Sequence, residues 1–277
     1  MSDHESPYWT VLPRALVRRS GIRVRGNLLR DVLWGQFCLF LFVRIQDDLF
    51  DGQASDRRLL YAADQFLIEA ERAFERQFAR SCRFWSVFHG ALESTTRAIL
   101  RIDRLQCQPE GRCGDLAAGY AEIAAIFKVG TAAICLKLRQ PADLASLAQF
   151  ADEVAIGGQI IDDLEDVHED LGRNRYNYVA KRLLGGRSTT PEEAARHITR
   201  EIVLGDGASR ILGDVQRHLE RAAMVLESVD CPPARSQVDQ AFRDLVRLKR
   251  ALHRRSVQRV FHPLLSGQRL LRRPVHA

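Results

Sequence analysis

The sequence predicts an all-α protein built as one domain. Apolar residues recur at helical spacing in nearly every long segment, and β-branched runs with period-two alternation are scarce. No linker rich in Ser, Gly or Pro is long enough to separate two domains. The chain has 277 residues, 46% of them apolar and 27% charged, so it can bury a sizeable core beneath a solvated surface. We expect one domain over residues 1–277, with residues 1–26 as an N-terminal extension.

Each predicted helix has an apolar face, and several have a local start or stop signal. Ser55 can cap the helix that opens with "DRRLLYAADQF". The string "STTPEEA" offers Thr190 as the cap, Pro191 at the first helical position and Glu193 for a capping box. The strings "CQPEGRCGD" and "VDCPPAR" interrupt the pattern. The predicted helices cover residues 27–51, 56–80, 82–104, 115–139, 142–171, 191–204, 208–228 and 233–262.

The C-terminal sequence "FHPLLSGQRLLRRPVHA" is expected to leave the helical pattern, because Pro263 and Gly267 interrupt it. Three interpretations of residues 263–277 fit their basic character: a frayed tail, a cover over an active site, or a weak contact with an anionic membrane surface. The frayed tail is the simplest of the three.

Charge and composition narrow the classes of partner. The formal net charge is +6, and all but four of the 41 basic residues are arginines, spread along the chain. No aromatic-interleaved basic motif occurs, so nucleic acid is unsupported as a partner, and a small polyanion such as a diphosphate fits the charge equally well. The longest apolar run, residues 32–43, is shorter than the ~20 residues that span a bilayer. No signal-peptide pattern opens the sequence, so a cytoplasmic protein is expected.

Two acidic clusters follow apolar runs and share the spacing D-D-x-x-D. The first, in "LFVRIQDDLFDG", comprises Asp47, Asp48 and Asp51. The second, in "VAIGGQIIDDLEDVHED", comprises Asp162, Asp163 and Asp166, and Asp170 extends it along one helical face. One such cluster can be a solvated helix end, but two, each preceded by an apolar turn, are poorly explained as surface.

The like charges in each cluster need compensation. Burying an uncompensated carboxylate costs several kcal/mol, and a divalent cation removes that cost. Clusters made only of carboxylates select hard cations, and Mg²⁺ in particular leaves coordination positions open for phosphate oxygens. We therefore predict two facing helices that hold Mg²⁺, which in turn holds a phosphorylated ligand.

The strings "DDLFD" and "DDLED" resemble the paired aspartate-rich motifs of the class I isoprenoid synthases. This all-α superfamily includes trans-prenyl diphosphate synthases, squalene and phytoene synthases and class I terpene cyclases. The resemblance implies a helical bundle around a central apolar cavity, with the motifs on opposite walls and three Mg²⁺ ions gripping the substrate diphosphate. It implies that the metal ligands are Asp47, Asp48, Asp51, Asp162, Asp163, Asp166 and Asp170, of which the first six are also the catalytic residues.

Other segments add diphosphate-binding candidates to the resemblance. "YAEIAAIFKVGTAA" is similar to the prenyl synthase segment in which a lysine meets the diphosphate, which implies that role for Lys128. "GGQIIDD" resembles the prenyl synthase theme G-x-x-x-Q-x-x-D-D, which gives Gln159 a polar role near the metals. "EDLGRNRY" resembles the end of the second motif, where a basic residue contacts diphosphate, so Arg175 is the candidate, with Tyr176 behind it. Arg44, in the first motif, is a further candidate.

Five residues are predicted to line the cavity. Val43 and Phe40 lie one and two turns before Asp47, and Val154 and Gly158 precede the second motif, so all four can face the cavity. Gly130 follows Lys128 and allows the helix to loosen beside the substrate, as in the resembled enzymes.

The resemblance is divided between branches of the superfamily. "LFVRIQDDLFD" is similar to the first motif of phytoene and squalene synthases, whereas "DDLED" with Gln159 and Lys128 is closer to the trans-prenyl synthases. Head-to-tail condensation uses an N-terminal basic motif for a second diphosphate, and "SGIRVRG" at 20–26 departs from it. Arg57 and Arg58 follow the first motif without the usual glycine.

From these departures the sequence predicts a Mg²⁺-dependent class I terpene synthase. It would ionise one prenyl diphosphate, stabilise the leaving diphosphate and yield a terpene hydrocarbon or alcohol. A prenyl-condensing enzyme, of the polyprenyl diphosphate synthase or squalene/phytoene synthase type, is the alternative. A homodimer is compatible with either reaction.

Two other classes are weighed against these enzymes. "EDVH", from Glu165 to His168, matches the Glu-x-x-His pair of di-iron carboxylate bundles, but such a bundle needs that pair twice. A non-catalytic partner subunit is expected to lose metal carboxylates, whereas both triplets are intact here.

Overall fold

The computed structural model describes residues 7–21, 26–50, 52–229 and 231–265, with side chains up to residue 252 except at 141 and 142. The protein is 81% helical, and the described residues contain no strand, which confirms the predicted all-α class. The candidate metal ligand Asp51 lies outside the described residues, as does nearly all of the basic tail at 263–277.

Eleven α-helices and one 3₁₀ segment make up the described part of the chain. In order they are α1 (Tyr8–Ser20), α2 (Leu28–Phe50), α3 (Leu59–Glu75), α4 (Phe84–Gln106), α5 (Cys113–Ile123), the 3₁₀ segment (Ala124–Lys128), α6 (Val129–Lys137), α7 (Pro141–Gly172), α8 (Tyr178–Leu184), α9 (Pro191–Val203), α10 (Gly207–Glu227) and α11 (Pro232–Leu265).

The apolar side chains form two core clusters that α7 joins. The first contains residues of α1, α2, α4 and α6, together with Phe150 of α7. The second contains residues of α8, α9 and α10, together with Ile160 and Val167 of α7. Because one long helix enters both clusters, the second acidic motif near its C-terminal end is held by packing on several sides.

The helix α1 was not among the predicted elements. Its residues Trp9, Leu12 and Leu16 are buried, and Arg19 forms an ion pair with Asp143 of α7. Local pattern analysis missed this helix because Pro13 lies inside it, where proline removes one main-chain hydrogen bond. Tertiary packing offsets that cost, so residues 8–20 belong to the first core cluster.

The predicted helix 115–139 is interrupted in the structure. It is divided into α5, the 3₁₀ segment and α6. The amide of Gln36, on α2, bonds to the main chain of this interruption, and such an insertion is a recognised cause of broken helices. The whole stretch Cys113–Lys137 is long and apolar enough to span a membrane, but 61% of its most apolar window is buried inside the protein, as expected of a core helix.

Helix ends agree with the sequence at some positions and differ at others. The capping box of α9 forms as predicted, with Thr190 Oγ1 accepting from the Glu193 N–H at 3.3 Å. Ser55 does not cap α3, which begins at Leu59, because Asp56 instead accepts the Arg58 N–H at 3.0 Å in a preceding turn. The short helix α8 was missed, and α11 continues past Pro263 to Leu265.

The contact between α2 and α3 depends on a glycine. A Cβ placed on Gly35 would lie 2.7 Å from Cε2 of Phe74, which is fully buried. We expect Gly35→Ala to lower the free energy of unfolding by about 1–3 kcal/mol through overpacking. Gly90→Ala in α4 is the matched control, because nothing lies within 4 Å of its Cβ position, and it is expected to stabilise the helix. Chemical denaturation of both variants measures the difference, and equal stability would contradict the packing argument.

Candidate active site

An acidic cavity of about 160 Å³ lies between α2, α4, α5 and α7. Side chains from both acidic motifs line it. Its polar lining residues are Asp47, Asp103, Gln106, Tyr120, Gln159, Asp163, Asp166, Asp170 and Arg175. The fold thus brings the C-terminal end of α2 and the C-terminal half of α7 to one volume.

Arg44 lies between the two acidic motifs. Its guanidinium group is 2.9 Å from Asp48 Oδ1 and 3.7 Å from Asp47 Oδ2. Partial burial and the negative charges of Glu165 and Asp166 raise the pKa of Asp162, and the charge of Arg44 partly opposes that rise. Arg44 therefore partly compensates carboxylates on both helices.

Asp163 is the most constrained carboxylate of the second motif. It is 4% exposed, and its Oδ2 accepts the Tyr120 O–H at 2.6 Å and the Tyr178 N–H at 2.9 Å. Its Oδ1 accepts from Gln159 Nε2 at 3.2 Å. Burial outweighs these three hydrogen bonds and raises the pKa of Asp163 to about 6. Both carboxylate oxygens of Asp163 thus have protein partners, and the role of Asp163 as a metal ligand stays a prediction.

Asn177 anchors the end of the second motif and was not singled out by sequence. It is fully buried, and its Nδ2 donates to the Asp163 carbonyl and to Asp170 Oδ2, both at 2.8 Å. Its Oδ1 accepts from the Ala180 N–H at 3.1 Å and so caps α8. From sequence, a lone asparagine after a helix predicts only a helix cap. Its hydrogen bond to Asp170 could be identified only from the tertiary structure.

The basic residue in the lining of the acidic cavity is Arg175. Its Nη2 donates to Asp103 Oδ1 at 2.9 Å, and its guanidinium carbon lies 5.8 Å from the ring centroid of Phe50. Asp103 belongs to α4 and carries no motif, which is why sequence reasoning overlooked it. Tyr176, by contrast, is buried and donates its O–H to the Thr189 carbonyl at 3.0 Å. Tyr176 is not in the cavity lining, and its diphosphate role stays a prediction.

Lys128 ends the 3₁₀ segment and forms an ion pair with Asp152 of α7. The Lys128 side chain is 20% exposed. Burial raises the pKa of Asp152, and the neighbouring Lys128 opposes that rise. Lys128 is thus paired with a carboxylate ten residues before Asp162. A contact between Lys128 and diphosphate stays a prediction.

The five predicted lining residues occupy different environments. Val43 and Val154 are partly buried against the first core cluster. Gly158 is exposed, and nothing lies within 4 Å of its Cβ position. Gly130 is buried against the side chain of Gln36. Their role in contacting a prenyl chain stays a prediction.

Phe40, two turns before Asp47, belongs to an aromatic group. Its ring stacks on Trp9 of α1 with centroids 5.3 Å apart, and the Phe127 ring lies 6.3 Å away. An apolar cavity of about 370 Å³ also lies beside Asp47, on the side of α3 and α4. It shares Asp47, Phe50 and Ile99 with the acidic cavity, so a charged volume and an apolar volume adjoin at the end of α2.

The donor set of the acidic cavity suits Mg²⁺ chemically. It includes the carboxylates of Asp163 and Asp170, and the charge of Asp170 adds to the effect of burial in raising the pKa of Asp163. A divalent cation relieves such repulsion. Within the described residues, which omit Asp51, no three His, Cys, Asp or Glu side chains converge closely enough to hold an ion by themselves. Mg²⁺ commonly takes one or two carboxylates and completes its shell with water and substrate phosphates.

The chain resembles the crystal structure of a geranylgeranyl pyrophosphate synthase from Lactobacillus brevis ATCC 367, with a TM-score of 0.64 over 86% of this chain and 85% of that one. The two sequences are 16% identical. This protein therefore has the isoprenoid-synthase-like fold that the paired motifs predicted. No protein-family model and no curated protein matches the sequence.

Proposed function

We propose that the protein is a Mg²⁺-dependent enzyme that ionises an allylic prenyl diphosphate and transfers the prenyl group to a second isoprenoid diphosphate. The observation that supports it best is the acidic cavity, where carboxylates of α2 and α7 meet beside an apolar volume. The likeness to a prenyl diphosphate synthase fold favours transfer over cyclisation. We further propose that the chain forms a single catalytic domain that works in the cytoplasm.

Each part of the site has a task in this reaction. Asp47, Asp166 and Asp170 would supply carboxylate oxygens to Mg²⁺, whose charge stabilises the departing diphosphate. Arg175 and Arg44 add positive charge where negative charge develops.

The bond changes follow from that arrangement. The bond between C1 and oxygen breaks, and its electron pair leaves with the diphosphate. The allylic cation then adds the double bond of the second substrate and loses a proton. Apolar side chains beside Asp47 offer a surface for the prenyl chain next to the departing diphosphate.

Terpene synthesis is the second candidate, and a specific observation favours it. Among the residues that line the acidic cavity, Arg175 supplies the positive charge, and five carboxylates surround it. One cationic side chain suits one diphosphate better than two. The sequence at 20–26 also departs from the basic motif used for a second diphosphate.

Product analysis separates the two reactions. The purified protein is incubated with Mg²⁺ and geranyl or farnesyl diphosphate, with and without isopentenyl diphosphate. We expect a longer prenyl diphosphate that appears only when both substrates are present. A hydrocarbon or alcohol formed from the allylic substrate alone would instead support the terpene synthase. Absence of pyrophosphate release under every condition, with Asp47→Asn as the background control, would contradict both reactions.

A further inference from the structure

The positive charge of the chain is concentrated at its C-terminal end. Residues 245–277 contain nine Lys or Arg and no Asp or Glu. Residues 1–244 contain 32 Lys or Arg and 35 Asp or Glu, so this larger part has a formal net charge of −3. The net charge of +6 therefore comes wholly from the last 33 residues, which form the C-terminal part of α11 and the sequence that follows it.

Helix α11 extends well beyond the part that packs in the core. Leu245 and Leu252 are seven residues apart, so they lie on one side of the helix, and both pack in the second core cluster. On another side of the helix, Val246 is 44% exposed. The helix continues to Leu265, which is about 20 Å past Leu252 at 1.5 Å per residue.

The side of α11 that packs in the core becomes basic in sequence after Leu252. At 100° per residue, Arg255 and Arg259 fall within about 60° of Leu252 around the helix. Arginine is almost never fully buried without a partner, so these positions do not extend the apolar line of Leu245 and Leu252. That line therefore ends at Leu252.

A second apolar face begins on a different side of the same helix. Four large apolar residues have the spacing i, i+3, i+4 and i+7 that is typical of an amphipathic helix. They are Val257, Val260, Phe261 and Leu264. At 100° per residue they fall within about 60° of Val246, on the side of α11 that is exposed to solvent earlier in the helix. The end of α11 thus has one apolar face and one basic face.

The combination of these two faces selects the kind of partner. It is typical of a helix that lies in the surface of an anionic membrane, where acyl chains accept the apolar face and headgroups attract the arginines. Nucleic acid, or the acidic cavity of the same chain, would match the charge but not the apolar face. A second copy of the chain would bring nine more basic residues to the contact, and like charges oppose such pairing.

We propose that residues 255–265 of α11, together with the basic sequence that follows them, dock the protein onto an anionic lipid surface. The apolar face enters the boundary between headgroups and acyl chains, and the basic residues supply the attraction to the headgroups. This docking is independent of the proposed reaction, because it needs neither a metal ion nor a diphosphate.

Sedimentation of the full-length protein with lipid vesicles tests this docking. Vesicles of phosphatidylcholine alone are compared with vesicles of an equal mixture of phosphatidylcholine and phosphatidylglycerol. We expect binding to the mixed vesicles that weakens as salt is raised, because salt screens the attraction to the headgroups. Binding to phosphatidylcholine alone should be at least tenfold weaker, since each basic residue near an anionic surface adds to the affinity.

Two variants separate the apolar face from the charge. Phe261→Ser removes the largest apolar group of the face and is expected to weaken binding to the mixed vesicles at least tenfold. Arg255→Gln combined with Arg259→Gln removes two positive charges. This double variant should bind about thirtyfold more weakly and with a smaller salt dependence.

The matched control substitutions are exposed and lie outside α11. Leu204→Ser truncates a leucine that is 66% exposed. Arg97→Gln combined with Arg187→Gln removes the same charge as the double variant of α11. Both controls should bind the mixed vesicles like the wild type. Phe261→Ser should unfold at the wild-type temperature, because its position is beyond the part of α11 that packs in the core.

Several results would overturn the docking. Binding to the mixed vesicles that Phe261→Ser leaves unchanged would show that no apolar face enters the lipid. A marked fall in the unfolding temperature of Phe261→Ser would mean that this residue packs against the rest of the protein. A dimer in solution that Phe261→Ser dissociates would assign the face to a second copy. Tight binding of duplex DNA or RNA, with no binding to either kind of vesicle, would assign the charge to nucleic acid.

Discussion

Asp166→Asn is expected to abolish turnover of prenyl diphosphates while leaving the fold intact. The side chain is exposed and lines the acidic cavity, so the amide can replace the carboxylate without a packing change. The substitution removes a negative charge and a hard oxygen donor from the proposed Mg²⁺ site. We expect at least a hundredfold loss, of the order seen when one preorganised electrostatic group is removed from an active site. Asp47→Asn should behave in the same way, since Asp47 faces the same cavity from α2.

Steady-state pyrophosphate release and thermal unfolding together check this result. Asp64→Asn, an exposed aspartate on α3, is the matched control and should keep full activity. Activity that survives in both Asp166→Asn and Asp47→Asn would contradict the proposed site. A large fall in the unfolding temperature would show that the carboxylates are structural instead.

Asp163→Asn is expected to destabilise the protein, unlike the same change at Asp166. The Asp163 carboxylate accepts three hydrogen bonds, and the amide of asparagine has a single oxygen. With the asparagine oxygen at the Oδ2 position, its NH₂ group faces the Gln159 Nε2 donor, and in the opposite orientation the Tyr120 O–H and the Tyr178 N–H lose their acceptor. At least one hydrogen bond is lost either way. We expect a loss of about 1–3 kcal/mol in the free energy of unfolding, which is the usual cost of an unsatisfied buried polar group. The unfolding temperature should fall by several degrees.

Calorimetry on Asp163→Asn and Asp166→Asn measures this contrast directly. The two carboxylates are three residues apart on one helix, so the comparison separates their tertiary environments from their local sequence. If the two variants unfolded at the same temperature and only Asp163→Asn lost activity, the roles assigned to Asp163 and Asp166 would be reversed. Asp163 would then be a metal ligand, as the paired motifs alone imply.

Much of the architecture follows from local patterns. Helical spacing of apolar residues predicted the all-α class, and Thr190 with Glu193 predicted the start of α9. Local patterns failed to predict helices that depend on contacts between residues far apart in the sequence. Pro13 argues against α1, yet Trp9 and Leu12 are buried in the core and hold that helix in place.

Some features of the candidate site were likewise predictable from local sequence, and others were not. The spacing of aspartates identified both acidic motifs, because like charges after apolar turns have few explanations. It did not reveal that Asp163 is bonded on both oxygens or that Asp103 on α4 joins the cavity. Those properties depend on α4, α5 and α8, whose relevant residues carry no repeated motif.

By itself the sequence determined the helical class and the two carboxylate clusters, and it predicts the chemistry that such clusters select. Only the tertiary structure decided which carboxylates face the cavity, where Lys128 points and why the helix before Gly130 breaks. The physical reason lies in the range of the interactions. Periodicity and capping act within a few residues, whereas Gln36 bonds to main-chain groups 90 and 94 residues away, a partnership that no local spacing encodes.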